Sequence, residues 1–191
     1  RLDYITGYYA RAIECLSQCQ KAENVLVIGF GTGGIVEAVL KCDEVRKVTV
    51  VELSETLIKN MHQIPSCKEI LTDPRVELVI DDGRRFLNRN EQKFDAILMD
   101  PLRSSTAYSN NLYSRDFFAL LKKRLNKGGV VMVWIDNWLE LPRTIVSQFP
   151  YAKRYDTFCI ASTDKMTLNQ ERKSAILGNF SVADRNAIET A

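Results

Sequence analysis

The chain is short of the residues that metal and disulfide chemistry need. Of its 191 residues one is histidine, His62, and the five cysteines are odd in number. Those cysteines, Cys15, Cys19, Cys42, Cys67 and Cys159, include no Cys-x-x-Cys pair. The count argues against a disulfide framework, and the shortage of imidazole argues against zinc, so free thiols, a reducing cytoplasmic setting and no bound metal are expected. No apolar run reaches membrane-spanning length, and no basic, apolar, small-residue leader is present. Charge of one sign is missing too: Lys+Arg 26 against Asp+Glu 24 leaves a net charge of +2 with the signs mixed along the chain. Nucleic acid is therefore not the expected partner. There is no internal repeat and no low-complexity tract. The chain opens at Arg1 rather than at methionine, as a fragment or a processed form does.

What is present points to one sizeable core, since 46% of the residues are hydrophobic. Residues 1–163 are expected to form a single domain, and residues 164–191 a helical tail packed on it or partly mobile. Residues 25–34 read Val-Leu-Val-Ile-Gly-Phe-Gly-Thr-Gly-Gly. A short aliphatic run is a strand buried on both faces, and the glycines after it let the backbone turn sharply and approach a ligand. Apolar residues at helical spacing follow from Ile35 to Lys41. About twenty residues on, a second apolar strand, 48–51, ends at Glu52, where an acid can hold ribose hydroxyls. Together these make an adenosine site. Gly29, Gly31 and Gly34 satisfy the dinucleotide spacing, while Gly29, Gly31 and Gly33 satisfy the tighter pattern of S-adenosylmethionine enzymes. A phosphate loop is ruled out because no Gly-Lys-Ser/Thr follows.

In chain order, residues 4–20 read as an amphipathic helix carrying Tyr8 and Tyr9. Ser54 reads as the N-cap of a helix over 55–61, and the polar stretch 66–74 as a connection. A third strand, 76–80, delivers Asp81-Asp82-Gly83 to the edge where ligands bind in open α/β sheets. From pattern alone, capping a helix that begins near Gly83 is an equally good role for Asp82. A fourth strand, 94–99, delivers Asp100 to the same edge, and an aperiodic loop runs from Leu102 to Asn111. Ser114 caps the next helix, which Asn126-Lys127-Gly128-Gly129 is expected to end. A fifth strand, 130–135, a helix through 141–149, and runs at 152–155 and 157–162 follow. The last two are joined too tightly for a crossover and must pair antiparallel. A short helix stopped at Gly178 and another after Ser181 finish the chain.

This ordered set resembles the spermidine synthase (polyamine aminopropyltransferase) family. The residues that carry the likeness are 25–34, 48–52, Asp73-Pro74-Arg75-Val76, Asp82-Gly83, 94–100 and Leu112-Tyr113-Ser114-Arg115-Asp116-Phe117-Phe118. The resemblance implies an α/β, Rossmann-like class I methyltransferase fold: a seven-stranded, mostly parallel sheet, helices on both faces, and an antiparallel C-terminal hairpin. It implies S-adenosylmethionine or its decarboxylated form as donor, bound by Gly29, Gly31, Thr32, Gly33, Glu52, Leu53, Asp82 and Gly83. It matches Asp100 to the catalytic acid that helps deprotonate an attacking amine, and it makes a homodimer reasonable. Beside the resemblance, Arg103, Tyr108 and Tyr113 are read as residues near a small-molecule acceptor. The chain departs from the family pattern in two places: Thr32 stands where spermidine-making members usually have Asp, and Asp100-Pro101-Leu102-Arg103 replaces Asp-Ser-Ser/Thr-Asp. Those acids receive ammonium groups, and burying an ammonium without a carboxylate is costly. A methyltransferase using intact S-adenosylmethionine, with Arg103 accepting a carboxylate, is the alternative enzyme. A cofactor-binding domain of a larger protein is the non-catalytic alternative.

Overall fold

The computed structural model describes residues 2–99, 110–135 and 140–190. The chain opens with α1 (Leu2–Leu16), which lays Tyr9, Ala12, Ile13 and Leu16 onto the sheet. β1 (Asn24–Ile28), α2 (Gly34–Leu40) and β2 (Lys47–Glu52) make the first crossover unit. Two short helices, α3 (Glu55–Met61) and α4 (Pro65–Leu71), lead to β3 (Val76–Ile80). α5 (Gly83–Arg89) crosses to β4 (Phe94–Met99), and α6 (Asn110–Tyr113) with α7 (Arg115–Lys123) precedes β5 (Leu125–Trp134). α8 (Glu140–Val146), the hairpin β6 (Tyr151–Arg154) and β7 (Phe158–Ser162), then α9 (Gln170–Gly178) and α10 (Val182–Glu189) complete the fold.

The seven strands lie in the order β3-β2-β1-β4-β5-β7-β6. The first five pair in parallel and the hairpin pairs antiparallel, as expected from the sequence. Alternate strand residues point to opposite faces. Val25 and Val27 accordingly enter one core with α1 and α2, while Leu26 and Ile28 enter the other with Phe86, Phe117 and Phe118. Strand order reverses between β1 and β4, so the carboxyl ends diverge there into a crevice. The buried Asp95 carboxylate sets the opposite end of this pair, accepting Glu23 N at 3.0 Å, Asn24 N at 2.9 Å and Asn126 Nδ2 at 2.7 Å.

Three expectations are corrected. The stretch 66–74 is not all connection: Pro65–Leu71 is helical, started by proline in its first turn and anchored by buried Cys67 and Ile70. Residues Asn126–Gly129 do not end a helix. α7 stops at Lys123, β5 begins at Leu125, and Gly128 (φ 69°) sits where β4–β5 pairing shifts register between Phe94 and Ala96. The positive φ of Gly128 favours glycine, and a Cβ there would also crowd the Gln20 side chain, 2.3 Å from its Cδ. The first helix ends at Leu16 rather than Gln20.

The C-terminal helices are held by Arg172, which is only 6% exposed. Its guanidinium donates to Leu16 O at 2.9 Å, Cys19 O at 2.6 Å and Gln20 O at 3.1 Å, and pairs with Glu44 at 2.7 Å. Among the described residues no helix is long and apolar enough to cross a membrane.

Candidate active site

The glycine turn leaves β1 with Gly29, Gly31 and Gly33 at φ 91°, 54° and 82°, a region L side chains rarely adopt. Gly29 N donates to Val51 O at 2.8 Å, tying the turn to β2. A Cβ placed on Gly31 would meet nothing within 4 Å, so the turn's outer side is open. Thr32 is exposed on this turn, and its carbonyl accepts the Cys67 thiol at 3.5 Å.

Glu52 ends β2 beside the turn and is 8% exposed. Its Oε2 accepts Phe30 N at 2.8 Å and its Oε1 accepts Ser54 N at 2.9 Å. Two backbone donors therefore fix the carboxylate plane, and each oxygen keeps a lone pair for a further donor. On either side of Glu52 along the strand ends stand apolar side chains left in the open: Leu53 is 69% exposed and Ile80 42% exposed. Such faces suit the flat surface of an aromatic base.

Asp82 follows β3 and caps α5, its Oδ1 accepting Arg85 N at 2.8 Å. The neighbouring Asp81 accepts Asp82 N at 2.7 Å and pairs with the Arg85 side chain. Gly83, the first residue of α5, is buried against β1: a Cβ there would lie 2.7 Å from Ile28 Cγ2. Absence of a side chain at Gly83 lets α5 approach the end of β1, which brings Asp82 to the same edge as Glu52.

The structure thus brings Gly29, Gly31, Thr32, Gly33, Glu52, Leu53, Asp82 and Gly83 to the carboxyl ends of β1, β2 and β3. Tyr113 is buried in the core with Phe117 and Phe118, at the end of α6. Asp100, Arg103 and Tyr108 lie outside the described residues. Two residues that sequence reading did not single out also shape this edge. Arg84 donates to Asn111 O and to Ser114 Oγ, each at 3.1 Å, and so ties the start of α7 to the helix that Asp82 caps. Arg11 stacks its guanidinium 3.9 Å over the Trp134 ring and 5.1 Å from Tyr8, next to the carboxyl end of β5. No local sequence signal marks either, because both act across long separations.

The thiols are poor nucleophiles in this setting. Burial pushes Cys19 up to about 12 and Cys159 up to about 11. Among the described residues no group of three His, Cys, Asp or Glu side chains is arranged to hold a metal ion.

A family model described as the spermine/spermidine synthase domain matches residues 8–170. The chain belongs to the spermine/spermidine synthase family. A polyamine aminopropyltransferase from Bacillus mycoides (strain KBAB4) is 34% identical over 132 residues, 69% of this chain and 48% of that protein. The Bacillus subtilis (strain 168) protein of the same description is 31% identical over 141 residues, 70% and 51% respectively. The chain therefore spans about half the length of the curated relatives it matches. Among solved structures, a spermidine synthase in complex with the transition-state analogue AdoDATO superposes at TM-score 0.76 with 20% identity, covering 99% of this chain and 77% of that one. Human methyltransferase-like protein 13 in complex with SAH superposes at TM-score 0.58 with 18% identity, covering 93% of this chain and 89% of that one. These two likenesses establish the fold: it is the one that family members share with class I methyltransferases.

Proposed function

We propose that this chain is the donor-binding, catalytic domain of an aminopropyltransferase, taking decarboxylated S-adenosylmethionine and an aliphatic amine as substrates. The observation that carries the reading is Glu52, held by Phe30 N and Ser54 N beside an open glycine turn and flanked by exposed Leu53 and Ile80. In this reading Glu52 accepts the two ribose hydroxyls, Leu53 and Ile80 cover the adenine faces, and Asp82 accepts the adenine amino group. The relatives' description as polyamine aminopropyltransferases supports the choice of transferred group.

The reaction asks little covalent chemistry of the protein, because the sulfonium already makes its neighbouring carbon electrophilic. The neutral amine nitrogen attacks that carbon, the carbon–sulfur bond breaks, and its electron pair returns to sulfur, leaving a thioether. The chain's task is to align the two substrates and to take the proton the new secondary amine releases. Asp100, which follows β4 directly, is assigned that proton. Mass spectrometry of the chain incubated with decarboxylated donor and a panel of diamines tests this. We expect an aminopropylated amine and 5′-methylthioadenosine in equal amounts, and neither from a folded Asp100→Asn variant. Full turnover by that variant would refute the role of Asp100, and no product from the wild type would refute the transferase assignment.

Thr32 favours a second reading. It puts a neutral, exposed side chain on the turn, so the turn itself supplies no counter-charge for the donor's ammonium. A methyltransferase using intact S-adenosylmethionine fits that feature, and methyl transfer with the intact donor alone would select it.

A further inference from the structure

A cavity of about 410 Å³ opens beside the glycine turn, bordered by Thr32 and Gly34, and neither Glu52 nor Asp82 is among its lining residues. That size is within the range of small-molecule sites. Its walls are aliphatic, contributed by Ile5 of α1, Met61 of α3, Ile64, and Ile70 of α4. Glu37, in the first turn of α2, is the one charged side chain among its described lining residues. Glu37 Oε2 accepts the Tyr9 hydroxyl at 2.6 Å, and the carboxylate makes no ion pair among the described residues. Burial, then the Glu37 carboxylate itself, push the Tyr9 phenol far up, so Tyr9 stays a donor and never becomes a competing anion. The Tyr9 ring packs on Phe180 at 4.9 Å, which holds the hydroxyl in place. A half-buried carboxylate with one hydroxyl donor and no cation among the described residues, set in an aliphatic cavity, leaves room for a cationic ligand.

We propose that this cavity binds the ammonium end of a linear aliphatic amine, with Glu37 as its counter-ion and the aliphatic walls around its methylenes. Among the described residues no aromatic side chain lines the cavity, and a quaternary ammonium ligand is best held by an aromatic cage. The small, strongly hydrated primary ammonium suits a single carboxylate. Thr32 borders both this cavity and the strand-end site, but neither Glu52 nor Asp82 lines the cavity, so its ligand is tested separately from the donor.

The test uses the chain without any donor. Calorimetric or NMR titration compares n-hexylamine with n-hexanol on the wild type, on Glu37→Gln, and on Ile64→Lys, whose own ammonium would occupy the cavity mouth. Ile64 is exposed, so that variant is expected to fold even if Glu37→Gln does not. We expect the amine to bind at least about tenfold more tightly than the alcohol, as a charge-assisted bond implies. Glu37→Gln should erase that preference, and Ile64→Lys should abolish amine binding. Equal binding of amine and alcohol to the wild type, no amine binding, or amine preference that survives both substitutions would overturn the proposal. 5′-Methylthioadenosine binding, measured on the same variants, should be unchanged; its loss would place the two ligands in one site and overturn the separation argued here.

Discussion

Replacing Glu52 by glutamine probes the adenosine edge most sharply, because the side chain has two separable duties. Its oxygens accept Phe30 N at 2.8 Å and Ser54 N at 2.9 Å. In Glu52→Gln one of those oxygens becomes an NH2 group facing a backbone N–H, so a buried donor loses its acceptor. Such a loss costs about 1–3 kcal/mol. For a chain of this size that corresponds to a drop in Tm of about 2–12 °C. The proposed second duty is to accept ribose hydroxyls, and losing one charge-assisted bond costs about 1.5–3 kcal/mol, or about 10- to 150-fold in affinity. Calorimetry with 5′-methylthioadenosine measures the second effect, and a 2′,3′-dideoxy analogue separates it from the first. The analogue offers Glu52 nothing, so it should bind wild type and variant alike. A variant with native circular dichroism that binds 5′-methylthioadenosine within about twofold of the wild type would refute the ribose assignment.

Other consequences follow from packing and charge. Gly83→Ala puts a Cβ 2.7 Å from Ile28 Cγ2, which should cost about 1–3 kcal/mol in urea unfolding. Ile28→Ala empties a buried position and costs stability of its own, but the double variant should lose less than the sum of the two single changes, and simple additivity would refute the close-approach explanation. Arg172→Met removes the guanidinium from the carbonyls of Leu16, Cys19 and Gln20, with Leu16 O keeping the Cys19 thiol, and should destabilise by about 2–4 kcal/mol; a loss below about 1 kcal/mol would show that the C-terminal helices hold on without it. Acid should weaken the fold through two carboxylates. Bonds from the Arg75 side chain hold Asp73 below its usual range; at Glu14 burial pushes upward, and bonds from Lys173 and Tyr155 outweigh it. Folded values below unfolded ones contribute stability that is present above about pH 4 and lost as pH falls through the folded values. The stability gap between wild type and Asp73→Asn should therefore shrink as pH falls from about 5 to about 3, and a constant gap would contradict that pairing.

Much of the edge was legible because its parts are local. Residues 25–28 are aliphatic in an unbroken run, the glycines follow at once, and Glu52 and Asp82 sit directly at strand ends. α4 escaped notice because a seven-residue helix with only Cys67 and Ile70 facing inward leaves too little periodicity to distinguish it from a polar connection. Gly128-Gly129 looks like a helix stop, yet tertiary pairing with β4 pulled it into β5, where the positive φ of Gly128 explains the glycine. The Tyr9–Glu37 bond and the Arg84–Ser114 bond join residues 28 and 30 positions apart. Nothing in the intervening sequence announces such pairs. Such pairs exist only in the fold, so the cavity beside Glu37 is not legible in the sequence while the strand-end carboxylates are.

The decisive measurement is a direct comparison of donors: calorimetric titration of the chain with decarboxylated S-adenosylmethionine and with the intact form under identical conditions. We expect the decarboxylated donor to bind more tightly and to be consumed when a diamine is added. Tighter binding of the intact donor, with the decarboxylated form neither bound nor turned over, would contradict aminopropyl transfer and leave the methyltransferase reading in its place.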